Sequence, residues 1–363
     1  MGYLKTVFGV TAFLAAAAAG INFFANPIGI YNPPLIRGFN DAAPAATAYS
    51  RLEKTEAVKR LKPDLIITGT SRADIGLDPR PEFFPGMTPY NFALSAATLY
   101  EQRRTLEFAG AVHPLKEAVI TLDFFAFNAR KLDNKQFEPE RLTPEALSPL
   151  RAFFDSYGTV VALDTLVASF RNMRYVRHLD RYAYSEPNGH KIGNDVAYDV
   201  SLQGAAHLFS HPPAEKETAV DDFSFAYSDV PGDTVFKHLE AMLDFTRQHG
   251  IKTILVISPV HEWAIRGFAA EGKSALVAEW KARLAEIVRA NAARYGETAY
   301  PLWDFAYPNS LTSEPVPTAD NKKTQMHWWW DPSHYKTELG DIVLRKVLGL
   351  PGGDKYPDFG RKL

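Results

Sequence analysis

The sequence contains no cysteine among its 363 residues. Without thiols the chain cannot form disulfides, thiolate zinc sites or iron–sulfur clusters, and it has no cysteine nucleophile. The absence also suits an oxidising compartment, where a stray thiol is a liability. An excess of charge is lacking too, since 40 Lys and Arg against 42 Asp and Glu leave a net charge of -2. This balance argues against general binding to nucleic acid.

Charge is also absent between Lys5 and Arg37. Residues 6–25 are almost wholly apolar, and a helix of about twenty residues spans roughly 30 Å, the thickness of a bilayer core. We therefore predict a transmembrane signal anchor over residues 1–25, with the main domain periplasmic or extracellular because Lys5 precedes the span. Cleavage as a signal peptide and burial as a core helix are the alternatives. Residues 26–59 are interpreted as a linker and lead-in, with a proline-rich stiff spacer at 26–34.

The remaining chain, residues 60–363, alternates apolar runs with amphipathic stretches, which is typical of a parallel sheet covered by helices on both faces. No internal repeat is evident. The predicted strands are 64–69, 90–94, 118–125, 253–258 and 299–303. The predicted helices are 99–112, 235–249, 274–295 and 337–348, of which the last three end at a glycine. The sequence thus predicts an α/β domain with about five strands.

Residues 129–232 interrupt this alternation and form a predicted insertion of about 100 residues, with one helix near 160–170. A connecting loop of this length would be unusual. Two interpretations stay open: a cap that shapes a substrate cleft, and an ornamental insertion without a role at the site.

Two polar motifs lie where an α/β sheet places its ligands, beyond the carboxyl ends of strands. Ser71 follows the first strand after a glycine, and a serine there can act as a nucleophile if a base reaches it. Asp331 and His334 precede the last helix, and their spacing lets the carboxylate orient an imidazole that accepts the proton of Ser71. Helix capping is the structural alternative for Ser71 and for Asp331 with Pro332.

This combination, an exposed serine after the first strand and Asp-x-x-His before the last helix, resembles the SGNH (GDSL-like) hydrolase superfamily over most of the chain from residue 60. The resemblance implies a flavodoxin-like, doubly wound parallel sheet. It also implies a triad in which Ser71 is the nucleophile, His334 the base and Asp331 the orienting acid. Two blocks depart from that pattern. Ala96 stands where a glycine usually supplies an oxyanion N–H, and Asn128 either supplies a second donor or caps a turn.

The sequence Gly69-Thr-Ser-Arg72 looks more like the membrane-anchored, exported branch of that superfamily, which includes alginate O-acetylation proteins and the D-alanyl transfer protein of teichoic acids. The branch implies a serine acyltransferase or esterase acting on a cell-surface polysaccharide or glycan ester, with a membrane-embedded acyl-transfer protein as a candidate partner. A binding or assembly subunit without catalysis is the alternative. No cofactor is implied, and no metal-ligand spacing is found.

Four further residues have two interpretations each. Trp330 can stack on a sugar ring or pack beneath the turn. His261, after the fourth strand, can bind substrate or replace His334 as base. Arg72 can bind an anionic group or form a surface salt bridge. Asp123 is interpreted as a structural carboxylate, and lining the site is the alternative.

Overall fold

A six-stranded β-sheet lies at the centre of the computed structural model, which describes residues 2–148, 158–210, 223–322 and 324–363. The described strands are β1 (Leu65–Thr68), β2 (Pro89–Asn91), β3 (Glu117–Leu122), β4 (Tyr184–Ser185), β5 (Lys191–Ile192), β6 (Lys252–Ile257), β7 (Leu302–Asp304) and β8 (Arg361–Lys362). The sheet order is β2-β1-β3-β6-β7-β8, in which β8 alone is antiparallel to its neighbour. β4 and β5 form a separate antiparallel hairpin. The protein is therefore a mixed α/β structure with a mostly parallel sheet.

Helices connect the strands and cover the sheet. The described α-helices are α1 (Gly2–Ala25), α2 (Ser50–Leu61), α3 (Ser71–Gly76), α4 (Leu99–Val112), α5 (Leu163–Tyr175), α6 (Asn194–Gln203), α7 (Ala205–Ser210), α8 (Phe236–Gln248), α9 (Glu262–Ala270), α10 (Ser274–Tyr295) and α11 (Thr337–Leu348). Short 3₁₀ helices are found at Pro44–Tyr49, Phe124–Phe127, Pro139–Leu142, Pro144–Leu147, Gly158–Val161 and Val176–Arg181.

Both faces of the sheet are buried, which explains the continuous apolar runs in the sequence. Along β1, Ile66 belongs to one apolar cluster whereas Leu65 and Ile67 belong to the other, because successive side chains point to opposite faces. Residues from α4, α8 and α10 complete the first cluster, and residues from α11 complete the second. The predicted helical cover of both faces is confirmed.

Most predicted elements are present, and the ends of the strands and of α8 are shifted. The helices α4, α10 and α11 have the predicted bounds, and the last two end at Gly296 and Gly349, both left-handed. β3 ends at Leu122 because the following residues turn into a 3₁₀ helix. β8 was not predicted; it pairs with β7, and the amide of Leu363 also donates to the carbonyl of Leu302.

The N-terminal helix α1 is long and apolar enough to cross a membrane, with a mean hydropathy of 1.9, and among the described helices it is the only one. Most of its side chains are exposed, including Phe8 and Phe13, so the core-helix alternative is wrong. Its last turn differs, because Asn22 and Ala25 are buried against the insertion.

The lead-in predicted for residues 26–59 is largely part of the folded body. Ile28, Ile30 and Tyr31 form a small buried apolar cluster, so these residues of the predicted stiff spacer are packed in the folded body. The predicted boundary at residue 60 falls inside α2, which packs against α4 and buries Lys54. The proline pattern predicted the helix end correctly, but it could not show that the following residues are covered.

The described part of the insertion packs beside the sheet and against α1. The amide of Asn91, on the edge strand β2, donates to the carbonyl of Asn188 in the turn between β4 and β5. Gly189 in that turn has φ +81°, and a Cβ there would lie 2.3 Å from the carbonyl oxygen of Asn91. Glycine is therefore required for the turn to approach this edge so closely. The predicted helix near 160–170 is observed as α5.

Lys54 forms a buried ion pair that joins α2 to α3. Its Nζ donates to Asp74 Oδ1 at 2.6 Å and to the carbonyls of Asn91 and Ala93 at 3.0 and 2.8 Å. We predict that Lys54→Met lowers the free energy of unfolding by about 3–5 kcal/mol, because Asp74 stays buried without its charge partner. Lys252→Met is the matched control, since Lys252 is exposed and pairs with Glu117 at the surface. It should change stability by less than about 1 kcal/mol. Thermal unfolding of the full chain in detergent measures both, and equal effects would contradict the prediction.

Glu53 is a buried carboxyl on α2. Burial raises its pKa from 4.5 to about 7, although the hydroxyl of Ser185 donates to its Oε2 at 3.1 Å. Below pH 4.5 both folded and unfolded states are protonated. Between pH 4.5 and 7 the unfolded state loses this proton first, so stability falls as the pH rises, and above pH 7 the full penalty remains.

We predict that Glu53→Gln stabilises the protein at pH 8 by an amount on the order of 3 kcal/mol and has little effect at pH 4.5. Unfolding curves of both proteins across pH 4.5–8 measure this difference. A constant difference over that range would show that the carboxyl of Glu53 is ionised throughout.

Candidate active site

Ser71 is the first residue of α3 and lies directly beyond the carboxyl end of β1. The turn between them begins at Gly69, where a Cβ would lie 1.8 Å from the hydroxyl of Thr121 on β3. Only glycine therefore lets this turn pass so close to the neighbouring strand. Thr70 is the N-cap of α3, and its hydroxyl accepts the amide of Arg72 at 3.4 Å. Because Thr70 supplies the cap, Ser71 is not needed for capping and its hydroxyl is available.

Asp331 and His334 lie in a tight loop before α11. Asp331 Oδ1 accepts the amides of Ser333 and His334 at 2.7 and 2.8 Å, while its Oδ2 lies 2.8 Å from His334 Nδ1. The amide of Trp330 donates to the carbonyl of His334, which closes the loop. α11 begins only at Thr337, so the interpretation of Asp331 as its N-cap is wrong.

The structure brings Ser71, His334 and Asp331 into one hydrogen-bonded chain. His334 Nε2 lies 2.9 Å from Ser71 Oγ, and Nδ1 faces the carboxylate. Burial alone would raise the pKa of Asp331, but the charge and hydrogen bond of His334 and two backbone amides hold it below its usual value. An ionised Asp331 holds the proton on Nδ1, which leaves the Nε2 lone pair to accept the hydroxyl proton of Ser71. This arrangement can generate an alkoxide nucleophile.

Arg72 and Asp123 connect the segment that carries Ser71 to the loop that carries Asp331 and His334. Arg72 Nη1 donates to Asp123 Oδ1 at 2.9 Å, and Thr70 Oγ1 donates to Asp123 Oδ2 at 2.6 Å. Arg72 also donates from Nε to the carbonyl of Ser333 and from Nη2 to its hydroxyl, each at 3.0 Å. The surface salt bridge interpreted for Arg72 is wrong, because its pair with Asp123 is buried. Three of its five N–H groups donate to protein groups, and Arg72 also lines the cleft at Ser71.

Ala96 lies in the cleft beside Ser71, in a left-handed conformation with φ +56°. This conformation is natural for the glycine expected there and strained for alanine. Within the described ranges, neither the amide of Ala96 nor that of Ser71 has a hydrogen-bond acceptor. Two unpaired N–H groups beside a nucleophile are the usual composition of an oxyanion hole.

Asn128 is not among the residues that line the cleft at Ser71. Its Oδ1 accepts the amides of Arg130 and Ser224, at 3.1 and 3.2 Å. These bonds close the turn after β3 and join it to the far end of the insertion. Of the two interpretations of Asn128, the structure shows the turn cap.

His261 and Trp330 also have structural partners. His261 is the N-cap of α9: its Nδ1 accepts the amide of Trp263 at 3.1 Å, while Nε2 lies 2.8 Å from the carbonyl of Glu314. With both ring nitrogens engaged, His261 does not replace His334 as base. The half-buried ring of Trp330 contacts the ammonium of Lys336, 4.2 Å from its centroid.

Four residues that line the cleft were not singled out from the sequence, namely Thr70, Phe125, Lys131 and Ser333. Phe125 and Lys131, both shortly after β3, line it together with Thr70, Ser71, Arg72, Ala96, Asp123 and Ser333. Their position after a central strand is a usable signal, but residue type alone does not separate them from surface positions. They give the cleft an apolar wall and a cation.

One group of side chains in the described part of the chain has the arrangement to hold a metal ion: Asp78, Glu186 and His190. Glu186 and His190 are four residues apart in the turn between β4 and β5, whereas Asp78 lies far away in the sequence, so the sequence did not reveal the group. Each already has a protein partner: Asp78 accepts from Asn188, Glu186 faces His190 Nδ1, and His190 Nε2 lies 2.8 Å from the carbonyl of Ile75. These hydrogen bonds account for the close arrangement of the three side chains.

The strain at Ala96 predicts an unusual response to glycine. Ala96→Gly should stabilise the protein by about 0.5–1 kcal/mol, because glycine adopts positive φ without steric cost. The same change at Ala290, exposed in the middle of α10, should destabilise by about 1 kcal/mol. Thermal unfolding of both variants tests the opposite signs. Destabilisation by both would show that the backbone at Ala96 is not left-handed in solution.

No protein-family model matches this chain, and no curated protein matches it. The chemistry of the site therefore rests on the distances, burial and charges described above.

Proposed function

We propose that this chain is an exported, membrane-anchored serine acyltransferase or esterase of the SGNH type, acting on a cell-surface polysaccharide or glycan ester. The observation that carries the proposal is the distance of 2.9 Å between Ser71 Oγ and His334 Nε2, with the other ring nitrogen held by Asp331. A serine hydroxyl is almost fully protonated at neutral pH, and a positioned base contributes roughly 10²–10⁴ in rate.

The sheet supports the resemblance on which the proposal draws. The order β2-β1-β3-β6-β7 corresponds to the flavodoxin-like order in which the first strand lies between the second and the third. Ser71 follows β1, and Asp331 with His334 precedes α11, as the superfamily pattern requires.

The proposed reaction has two steps. Ser71 Oγ attacks the acyl carbonyl while His334 Nε2 takes its proton, and the amides of Ser71 and Ala96 stabilise the oxyanion. His334 then protonates the departing alcohol, which leaves an acyl ester on Ser71. A sugar hydroxyl or water, deprotonated by His334, attacks this ester and restores the serine. Each oxyanion donor contributes on the order of 10²–10³ in rate.

The helix α1 supports the proposed location. Lys5 precedes its apolar run, and positive charge stays on the cytoplasmic side of a membrane. The chain after Ala25 then lies outside the cell or in the periplasm, where surface polysaccharides are modified. The buried last turn of α1 favours an anchor that remains attached to the domain.

A non-catalytic binding or assembly subunit on the same scaffold is the second candidate. The observation in its favour is the altered oxyanion region, in which strained Ala96 stands where a glycine is usual and Asn128 is not among the residues that line the cleft at Ser71. The amide of Ala96 nevertheless remains available as a donor.

A fluorophosphonate probe distinguishes the two candidates, because it reacts with an activated serine and not with an ordinary one. We predict that the full chain is labelled, that Ser71→Ala abolishes labelling, and that His334→Gln slows it by about 10²-fold or more. Ser201→Ala, at an exposed serine on α6, should be labelled like the wild type. Well-folded wild-type protein that resists the probe would overturn the enzyme and favour the assembly subunit.

A further inference from the structure

The helix α5 in the insertion exposes apolar side chains and buries small and polar ones, which is the reverse of a surface helix in a soluble domain. Its exposed stripe carries Leu163, Val167 and Phe170, which are 76%, 50% and 57% exposed. These residues share one face, because they are spaced by four and three positions. The opposite, buried face is formed by small and polar residues, namely Thr165, Ala168, Ser169 and Asn172. A surface helix in water has the reverse arrangement.

The buried face of α5 packs on the last turn of α1 through hydrogen bonds between side chains and backbone. The hydroxyl of Ser169 donates to Asn22 Oδ1 at 2.8 Å, and Asn172 Nδ2 donates to the carbonyl of Ala25 at 3.2 Å. Asn22 Nδ2 donates in turn to the carbonyl of Val160 at 2.8 Å. Close packing of small residues with polar side chains bonded across the interface is typical of helices within a membrane.

Further exposed apolar side chains lie at the end of α1, on which α5 packs, and in the segment that follows it. Leu35 and Ile36 are 76% and 50% exposed, and Ile21 and Phe24 on α1 are also exposed. Asn40 holds the two segments together, since its Nδ2 donates to the carbonyls of Phe24 and Pro34. These exposed apolar side chains therefore lie beside the lipid-compatible surface of α1, where α1 enters the folded body.

Positive charge borders this surface. Arg171, Arg174 and Arg177, at the end of α5 and in the following turn, are exposed. Arg174 lies on the same stripe as Phe170. Apolar side chains bordered by arginines are the pattern of helices that lie in the interface of an anionic bilayer.

We propose that α5, together with Leu35 and Ile36, lies in the headgroup region of the bilayer that α1 spans, with its apolar stripe inserted into lipid. This inference rests on the proposed role of α1 as a membrane anchor. Two membrane contacts at an angle to each other would fix the orientation of the body relative to the bilayer, whereas a single helix would leave it free to rotate.

The absence of cysteine allows a direct test, because single cysteines can be introduced and labelled with a nitroxide in the full chain. The protein is reconstituted in nanodiscs that contain phosphatidylglycerol, and the accessibility of each label to oxygen and to a water-soluble nickel chelate is measured. Val167→Cys reports on α5. Phe13→Cys, which is 70% exposed on α1, is the lipid reference, and Ala290→Cys, exposed on α10, is the aqueous reference.

We expect the label at Val167 to resemble that at Phe13, accessible to oxygen and protected from the nickel chelate. A label at Val167 that resembles Ala290 while Phe13 stays in lipid would overturn the inference about α5 alone. An aqueous label at Phe13 would overturn the anchor itself. Protection of Val167 from both reagents would show a protein–protein contact in place of lipid, which also contradicts the proposal.

Discussion

The buried ion pair between Arg72 and Asp123 is the interaction on which the candidate site depends. Asp123 directly follows β3, Arg72 is the second residue of α3, and two further donors of Arg72 hold Ser333 in the Asp-His loop. A planar guanidinium can satisfy three acceptors in fixed directions at once, which a lysine ammonium does less well. The pair therefore sets the separation of Ser71 and His334, although neither Arg72 nor Asp123 belongs to the triad.

The main elements of the fold could be predicted because burial on both faces leaves a strong pattern in the sequence. β1, β3 and β6 are continuous apolar runs, and glycines mark the ends of the long helices. β8 could not be predicted, since Arg361 and Lys362 lack an apolar pattern and depend on pairing with β7. The sequence of α5 looks like that of an ordinary amphipathic helix. Hydropathy does not reveal whether the apolar or the polar face of such a helix packs against the protein.

The triad could be predicted because its three residues occupy the places where strands and loops meet in an α/β fold. The roles of Asn128, His261 and Arg72 could not, because a polar side chain is structural or functional according to its partners. Those partners include the backbone of Ser224, Glu314 and Ser333, far away in the chain. The separation of two residues along the sequence does not reveal such contacts, and the residue type is compatible with a structural and with a functional role.

In the part of the chain that the structure describes, the edges of β2 and of β7 are at least partly covered. At one end Asn188 occupies the amide of Asn91 on β2, and at the other β8 completes the pairing of β7. An exposed strand edge can pair with a strand of a second molecule. This association is favoured when proteins are concentrated in a membrane. Because β8 consists of only Arg361 and Lys362, a change that disrupts this short pairing would expose the edge of β7 and favour self-association of the anchored protein.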